Sequence, residues 1–260
     1  MNNRTTRPTG DDRSDSTACS RESHLWRRRA VLWLAAGVVL ALLLGCDAPL
    51  MRARYLLVGG QPQGLFKQCL GSVREFGQAM AAIVAACIVA SCDRRRVAIV
   101  LTLALAELLS SAAENAGKLT IARYRPYAAI DALRTAADDK PAILAKMGPG
   151  DSWVGWRPWN AHSATQSFPS GHSAAAFALA VTLAAFYPRL AWLLWTLAAC
   201  CALSRFLDAM HWPSDCWVGS LIGYASAWAA LRTHNVLQSK SAAANERVAH
   251  PLHQQGVGTR

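Results

Sequence analysis

Apolar positions gather into six runs along the chain, at residues 30–46, 76–92, 97–113, 173–187, 190–203 and 216–231, each closed by polar or charged residues. None alternates with the period of two that a half-buried strand requires, and none recurs at a fixed interval. Each run is near or just below the roughly 17–25 residues of a membrane-spanning helix. Taken singly, any of them also suits a buried helix of a soluble all-α protein. Six in one chain, with basic residues at alternate ends, predict an all-α integral membrane bundle of six transmembrane helices. The flanking segments 1–24 and 238–260 hold too little apolar surface to order themselves. They are expected to be disordered cytoplasmic tails around a membrane domain at 25–237.

Charge adds a direction. The chain has 27 Lys and Arg against 16 Asp and Glu, a formal net charge of +11. Such an excess suits nucleic acid, a membrane surface or an anionic substrate, and its placement decides between them. Arg27-Arg28-Arg29 and Arg94-Arg95-Arg96 sit beside apolar runs, and no nucleic-acid motif accompanies them. Nucleic acid is therefore not an expected partner, and the bilayer is. Arg189 and Arg232 fall on the same side as those clusters when the chain crosses six times. The positive-inside rule then puts both termini in the cytoplasm. It puts the stretch 114–171 outside, although that stretch carries Lys and Arg of its own. The expected location is the cell inner membrane, multi-pass, with the active site at the outer face, towards the periplasm or exterior.

The eight cysteines lack metal-ligand spacing, and Cys200-Cys201 lies inside an apolar run. Cys46 and Cys69 fall in one expected outer loop, where a disulfide would be permitted but is not required. Leu43-Leu44-Gly45-Cys46 also has the form of a lipoprotein cleavage signal. Five further apolar runs make a lipid anchor redundant, so the first run is read as a transmembrane helix.

Three polar clusters stand at the ends of apolar runs, all on the expected outer side. The first runs from Lys118 to Arg125-Pro126, with the two cations seven residues apart and so on one face if helical. Two fixed cations at that spacing suit a multi-oxygen anion such as phosphate, although snorkelling at a membrane edge explains them as well. The second is Ser167-Phe168-Pro169-Ser170-Gly171-His172-Ser173. Pro169 suits a helix start, whose free N–H groups and dipole favour an anion. Gly171 lets an anion approach the backbone, Ser170 adds a hydroxyl, and His172 holds or donates a proton near neutral pH. A plain helix cap accounts for the Ser and Pro but not for the His. The third runs from Ser204-Arg205 to His211 and Asp215. The carboxylate four residues on is within reach of the imidazole if the turn is helical, and would fix its tautomer and free the other nitrogen for attack. A polar loop with an incidental His is the bland alternative. Two histidines and an Asp suit zinc in principle, but three adjacent cations would repel it. No metal and no cofactor are expected.

These clusters read K-x6-R-P, P-S-G-H and S-R-x5-H-x3-D in order, and resemble the three signature motifs of the type 2 phosphatidic acid phosphatase family over residues 107–231. The resemblance implies a metal-independent phosphatase acting on a lipid phosphomonoester or diphosphate through a phospho-histidine. It implies His211 as nucleophile, Asp215 as its orienting group and His172 as the acid for the leaving oxygen. Lys118, Arg125, Ser170, Gly171 and Arg205 would hold the phosphate. The stretch between the first two motifs is long for a small bacterial-type member, which bears on the substrate rather than the chemistry. Phosphatidic acid, undecaprenyl diphosphate, phosphatidylglycerol phosphate and lipid A all satisfy the pattern, and the oligomeric state is left open. The same motifs bind vanadate in the related vanadium-dependent haloperoxidases, which are typically soluble. A non-catalytic protein that binds anionic lipid is the other alternative, against which the intact histidines count.

Two further features stand out. Glu107, Ser111, Glu114 and Lys118 share one helix face, read as facing the site with Glu114 bracing Lys118. Trp153, Trp156 and Trp159 suit either the membrane interface or packing within the outer segment.

Overall fold

The computed structural model describes residues 12–59, 62–132 and 140–249. The chain divides into two units, Met1–Leu43 and Leu44–Arg260. The described part of the first is helical, the beginning of α1 (Asp12–Val58). There Val31, Leu32, Trp33, Leu34 and Leu42 are exposed, an apolar surface of the kind a bilayer covers.

The second unit holds residues 44–58 of α1, then α2 (Gly64–Arg74), α3 (Ala79–Cys92), α4 (Arg96–Thr120), β1 (Ile121–Arg123), α5 (Pro126–Ala132), α6 (Lys140–Lys146), β2 (Trp153–Trp156), α7 (Gly171–Phe186), α8 (Ala191–Leu207) and α9 (Pro213–Ala249). Helix α7 is central and packs against α4, α8 and α9. It can do so because Ala174, Ala176, Ala178 and Ala180, all without exposed surface, keep its girth small. Ile99, Leu103, Leu179, Leu194 and Cys201 form the core between these helices. Met80, Ile83 and Ile88 on α3, Val97, Leu101 and Leu108 on α4, and Trp192 and Leu203 on α8 face outwards. A second cluster of Met51, Tyr55, Ile130, Ile143, Leu144 and Trp212 joins α1, α5 and α6 to the turn before α9. Arg54 fastens α1 there by donating to the Leu207 carbonyl at 2.6 and 2.9 Å, at the end of α8.

All six apolar runs are helical, but they are not equal as membrane spans. Three helical segments are long and apolar enough to cross, Ala30–Val58, Arg96–Thr120 and Pro188–Leu207. A fourth follows if Gly64–Gly77 and Ala79–Cys92, bent by 61°, count as one broken span. Helix α7 has 16 residues, about 24 Å of rise against a hydrocarbon core of about 30 Å. Helix α9 is long, but Gly219, Ser220, Gly223 and Ser226 on it lower its hydropathy. Both lie among other helices, so neither needs a fully apolar circumference.

Other departures are local. The all-α expectation misses a small antiparallel ladder in which Ile121 faces Trp156 and Arg123 faces Trp153. Helix α1 continues through Cys46 to Val58, with Pro49 inside it. Cys46 and Cys69, expected in one outer loop, both lie in helices and are free. Helix begins at Asp12 and, in α9, continues to Ala249, reaching into both polar segments read as tails. The Ala-rich stretch of α9 has high helix propensity, which carries the helix past the apolar run. Residues 1–11 and 250–260 lie outside the described residues.

Candidate active site

The last turn of α4 carries Lys118, whose Nζ lies 2.6 Å from Glu114 one turn back. The Glu114 carboxylate lies against Gly171 at the first turn of α7, where a β-carbon would stand 2.8 Å from its oxygen. The missing side chain of Gly171 thus serves this close approach. Ser170, fully buried, occupies the N-cap position; its N–H donates to the Asp215 carbonyl at 3.1 Å and its Oγ lies 3.0 Å from Ser173 Oγ. Helices α4, α7 and α9 therefore meet at one point.

Arg125 follows β1 and is held by carbonyls. Its Nε donates to Ser163 at 2.9 Å, and its terminal nitrogens to Gln166 at 3.4 Å and Met210 at 3.5 Å. Arg205, in the last turn of α8, pairs with Asp208 at 3.2 Å, while its buried Nε has no hydrogen-bond partner among the described residues. The chain then turns sharply. Ala209 adopts φ 54°, a left-handed conformation at a helix end. The N–H groups of Met210 and His211 both donate to the Arg205 carbonyl, at 3.1 and 3.3 Å. That turn fixes His211 relative to Arg205.

The His211 ring is buried, with Nδ1 2.7 Å from the Ser167 carbonyl oxygen. A carbonyl only accepts, so Nδ1 carries the proton and Nε2 keeps its lone pair. The group expected in this role was Asp215. Its Oδ2 is 3.9 Å from Nδ1, too far for a hydrogen bond. The carboxylate instead accepts from Ser167 Oγ at 2.6 Å, from the Trp212 N–H at 3.0 Å and from Arg123 at 2.5 Å. A buried guanidinium offers it a full charge, which a neutral imidazole does not. Asp215 thereby holds the backbone that holds the ring. Burial, then the charges of Arg125 and Arg205, hold the His211 pKa well below the ordinary histidine value, so the ring is neutral at neutral pH.

Arg123 is the residue that motif spacing passed over. It is 1% exposed and spends every donor nitrogen: on Asp215 and Ser214 (2.7 Å), on Asp47 (2.6 Å) and on Ser152 (3.1 Å). The faces of Trp153 and Trp212 lie 4.3 and 5.3 Å away. Asp47 also accepts from the Ser214 N–H at 2.9 Å and from the Ser214 hydroxyl, so α1 is tied to the first turn of α9. A carboxylate closing an apolar run was the available signal for Asp47. Trp153 accordingly packs within the segment between β1 and α7, against Arg123 and Phe168, whereas Trp156 and Trp159 are 71% and 84% exposed.

A cleft of about 570 Å³ is bordered by Lys118, Gly171 and His172 and continued by Glu114, Ser111 and Glu107. The face of α4 singled out in the sequence thus lines it. The charges of Arg205 and Lys118 act on both histidines, and that of Arg125 on His211. The eight residues expected to form one site are drawn from α4, the segment after β1, the start of α7, the end of α8, the turn after it and the start of α9. Such an arrangement can grip a phosphoryl group with three cations and the N-terminus of a helix, and present a neutral imidazole nitrogen to phosphorus.

The profile of the PAP2 superfamily matches residues 95–239, more than half of the chain. The bacitracin transport permease protein BcrC of Bacillus licheniformis is 33% identical over 66 residues, which are 25% of this chain and 32% of that protein. The chain thus matches about a third of the length of that relative. The crystal structure of Aquifex aeolicus LpxE aligns with a TM-score of 0.47 and 21% identity, covering 69% of this chain and 93% of that one.

Proposed function

The chain belongs to the PAP2 superfamily, and on that premise we propose that it is a multi-pass membrane enzyme that removes phosphate from a phosphorylated lipid through a phospho-histidine. His211 Nε2 attacks phosphorus and the ester oxygen departs with the electron pair. His172, at the start of α7, gives that oxygen a proton. Water then attacks the phospho-histidine, releasing phosphate and restoring the imidazole. Lys118, Arg125 and Arg205, with the backbone at Ser170 and Gly171, neutralise charge on the transferring group as a metal would elsewhere. Asp215 acts as a positioning residue through Ser167 and Trp212. The reading puts six passages through the inner membrane and the site at its outer face.

The observation that carries this reading is the fixed tautomer of His211. Nδ1 bonds to a carbonyl at 2.7 Å, which leaves Nε2 as an unprotonated nucleophile beside three cations. The test is phosphate release from phosphatidic acid and undecaprenyl diphosphate in detergent, with acid-labile phosphate on the protein trapped by rapid quench. His211→Ala is expected to lose both release and trapping. His172→Ala is expected to fall about 10²–10⁴-fold on the lipid ester and less on p-nitrophenyl phosphate, whose phenolate needs little protonation. Trapping that survives His211→Ala but not His172→Ala would reverse the two roles. Wild-type protein inactive on every lipid phosphate would remove the proposal.

A further inference from the structure

The cleft beside Lys118 and His172 is walled mostly by apolar side chains, among them Ala82 and Ala86 of α3 and Val100 and Leu103 of α4. Two polar groups interrupt that wall. Ser110 is 1% exposed, and its Oγ has no hydrogen-bond partner among the described residues. The same holds for Glu107 Oε1, a buried carboxyl oxygen in the middle of a span. Both border the cleft, three residues apart and so on adjoining positions of one helix face. A buried polar atom left unpaired is unfavourable, and an ionisable residue at membrane depth without a partner points to a ligand that supplies one.

Helix geometry gives the depth of this step. Lys118 Nζ is drawn back onto Glu114 at 2.6 Å, so the cationic end of the cleft lies at the level of Glu114. At 1.5 Å per residue, Ser110 and Glu107 lie about 6 and 10 Å further along α4. A lipid whose phosphate is held at Lys118 and whose chain descends the cleft brings its first few chain carbons to that depth. A second anion is unfavourable there, because Glu114 and Glu107 would repel it. An ammonium would have to leave water for an apolar wall. A hydroxyl fits, since it donates and accepts at once and can satisfy Glu107 Oε1 and Ser110 Oγ together.

We propose that Glu107 and Ser110 form a hydroxyl-recognition step in the chain-binding cleft, so that the enzyme prefers phosphorylated lipids whose acyl chain carries a hydroxyl close to the headgroup. The inference rests on the lipid phosphatase reading above. An unsubstituted acyl or polyprenyl chain leaves both groups unpaired, and a site built to bond a substrate hydroxyl discriminates strongly against the analogue that lacks it.

The test uses a matched pair in detergent micelles, phosphatidic acid with two 3-hydroxymyristoyl chains and phosphatidic acid with two myristoyl chains. Wild-type protein is expected to show a kcat/KM at least about tenfold higher on the hydroxylated lipid. Glu107→Leu and Ser110→Ala are each expected to bring that ratio towards one. Because both lipids are measured on one preparation, partial misfolding lowers both rates and leaves the ratio alone. Wild-type protein that turns over both lipids at one rate overturns this inference and leaves the phosphatase reading standing. So does a ratio that neither substitution moves. Protein that releases phosphate from neither lipid, and from no other lipid phosphate, overturns both.

Discussion

Arg123 stands between two buried carboxylates, Asp47 and Asp215, at 2.6 and 2.5 Å. Removing its charge while keeping its length, as in Arg123→Met, would leave both uncompensated. Breaking a buried pair from one side costs about 3–5 kcal/mol, and here two acids lose one partner. Arg123→Met is therefore expected to unfold at a markedly lower temperature in detergent. Arg123→Lys, which restores charge without the planar fork, should recover part of the difference. Unfolding of Arg123→Met at the wild-type temperature would show that the network is not a brace. The sequence did not reveal this residue because its partners lie 76 and 92 positions away. The cations that were legible, Lys118, Arg125 and Arg205, stand at fixed offsets within short motifs. Asp215 was legible as a partner of the His211 turn. That the Ser167 carbonyl, not the carboxylate, touches the ring depends on where Arg123 draws the carboxylate, which no local spacing records.

At the scale of elements, hydropathy revealed α1, α3, α4, α7, α8 and α9 because each keeps its apolar residues together over many positions, but not the shorter α2, α5 and α6. It missed β1 and β2 because strands of three and four residues are too short to display an alternation. It also missed how α7 and α9 fit, although Gly219 and Gly223 are spaced as a small-xxx-small pair. A β-carbon at Gly219 would run into the Ser170 carbonyl, at the N-cap of α7, and one at Gly223 into the Ala174 carbonyl within it, both backbone atoms that cannot turn aside. Overpacking of this kind costs about 1–3 kcal/mol. Gly223→Ala is expected to lower the unfolding temperature. Gly219→Ala should do so too, and should also reduce turnover, since it displaces Ser170 at the proposed phosphate site. Gly71→Ala, in α2, meets nothing within 4 Å and should be neutral or stabilising by about 0.5–1 kcal/mol, because alanine is the better helix former. Equal effects at the three positions would mean that the close approach of α7 and α9 is not what fixes this corner.

For the molecule as a whole, the groups proposed to hold phosphate and the arginine cluster mark opposite ends of α4. Lys118 is in its last turn, and arginines 94–96 are at its start. Tyr187, just beyond the far end of α7, donates to Asp93 beside that cluster at 2.9 Å. If basic residues stay inside, the cluster is cytoplasmic and the site faces outwards, where a lipid already carried across the bilayer would meet it. Two positions report on this. Ala161 is exposed in the segment between β2 and α7, and Cys92 is a free, exposed thiol at the arginine end. In protein whose other cysteines are replaced, Ala161→Cys should react with an impermeant thiol reagent on intact cells. Protein keeping Cys92 alone should react only after lysis, and phosphatase activity of each would show that it is folded. The opposite pattern would turn the molecule over and make its substrate a lipid of the cytoplasmic leaflet. Both positions labelled from outside would mean that the span between them does not cross, since one passage of α4 is what separates them.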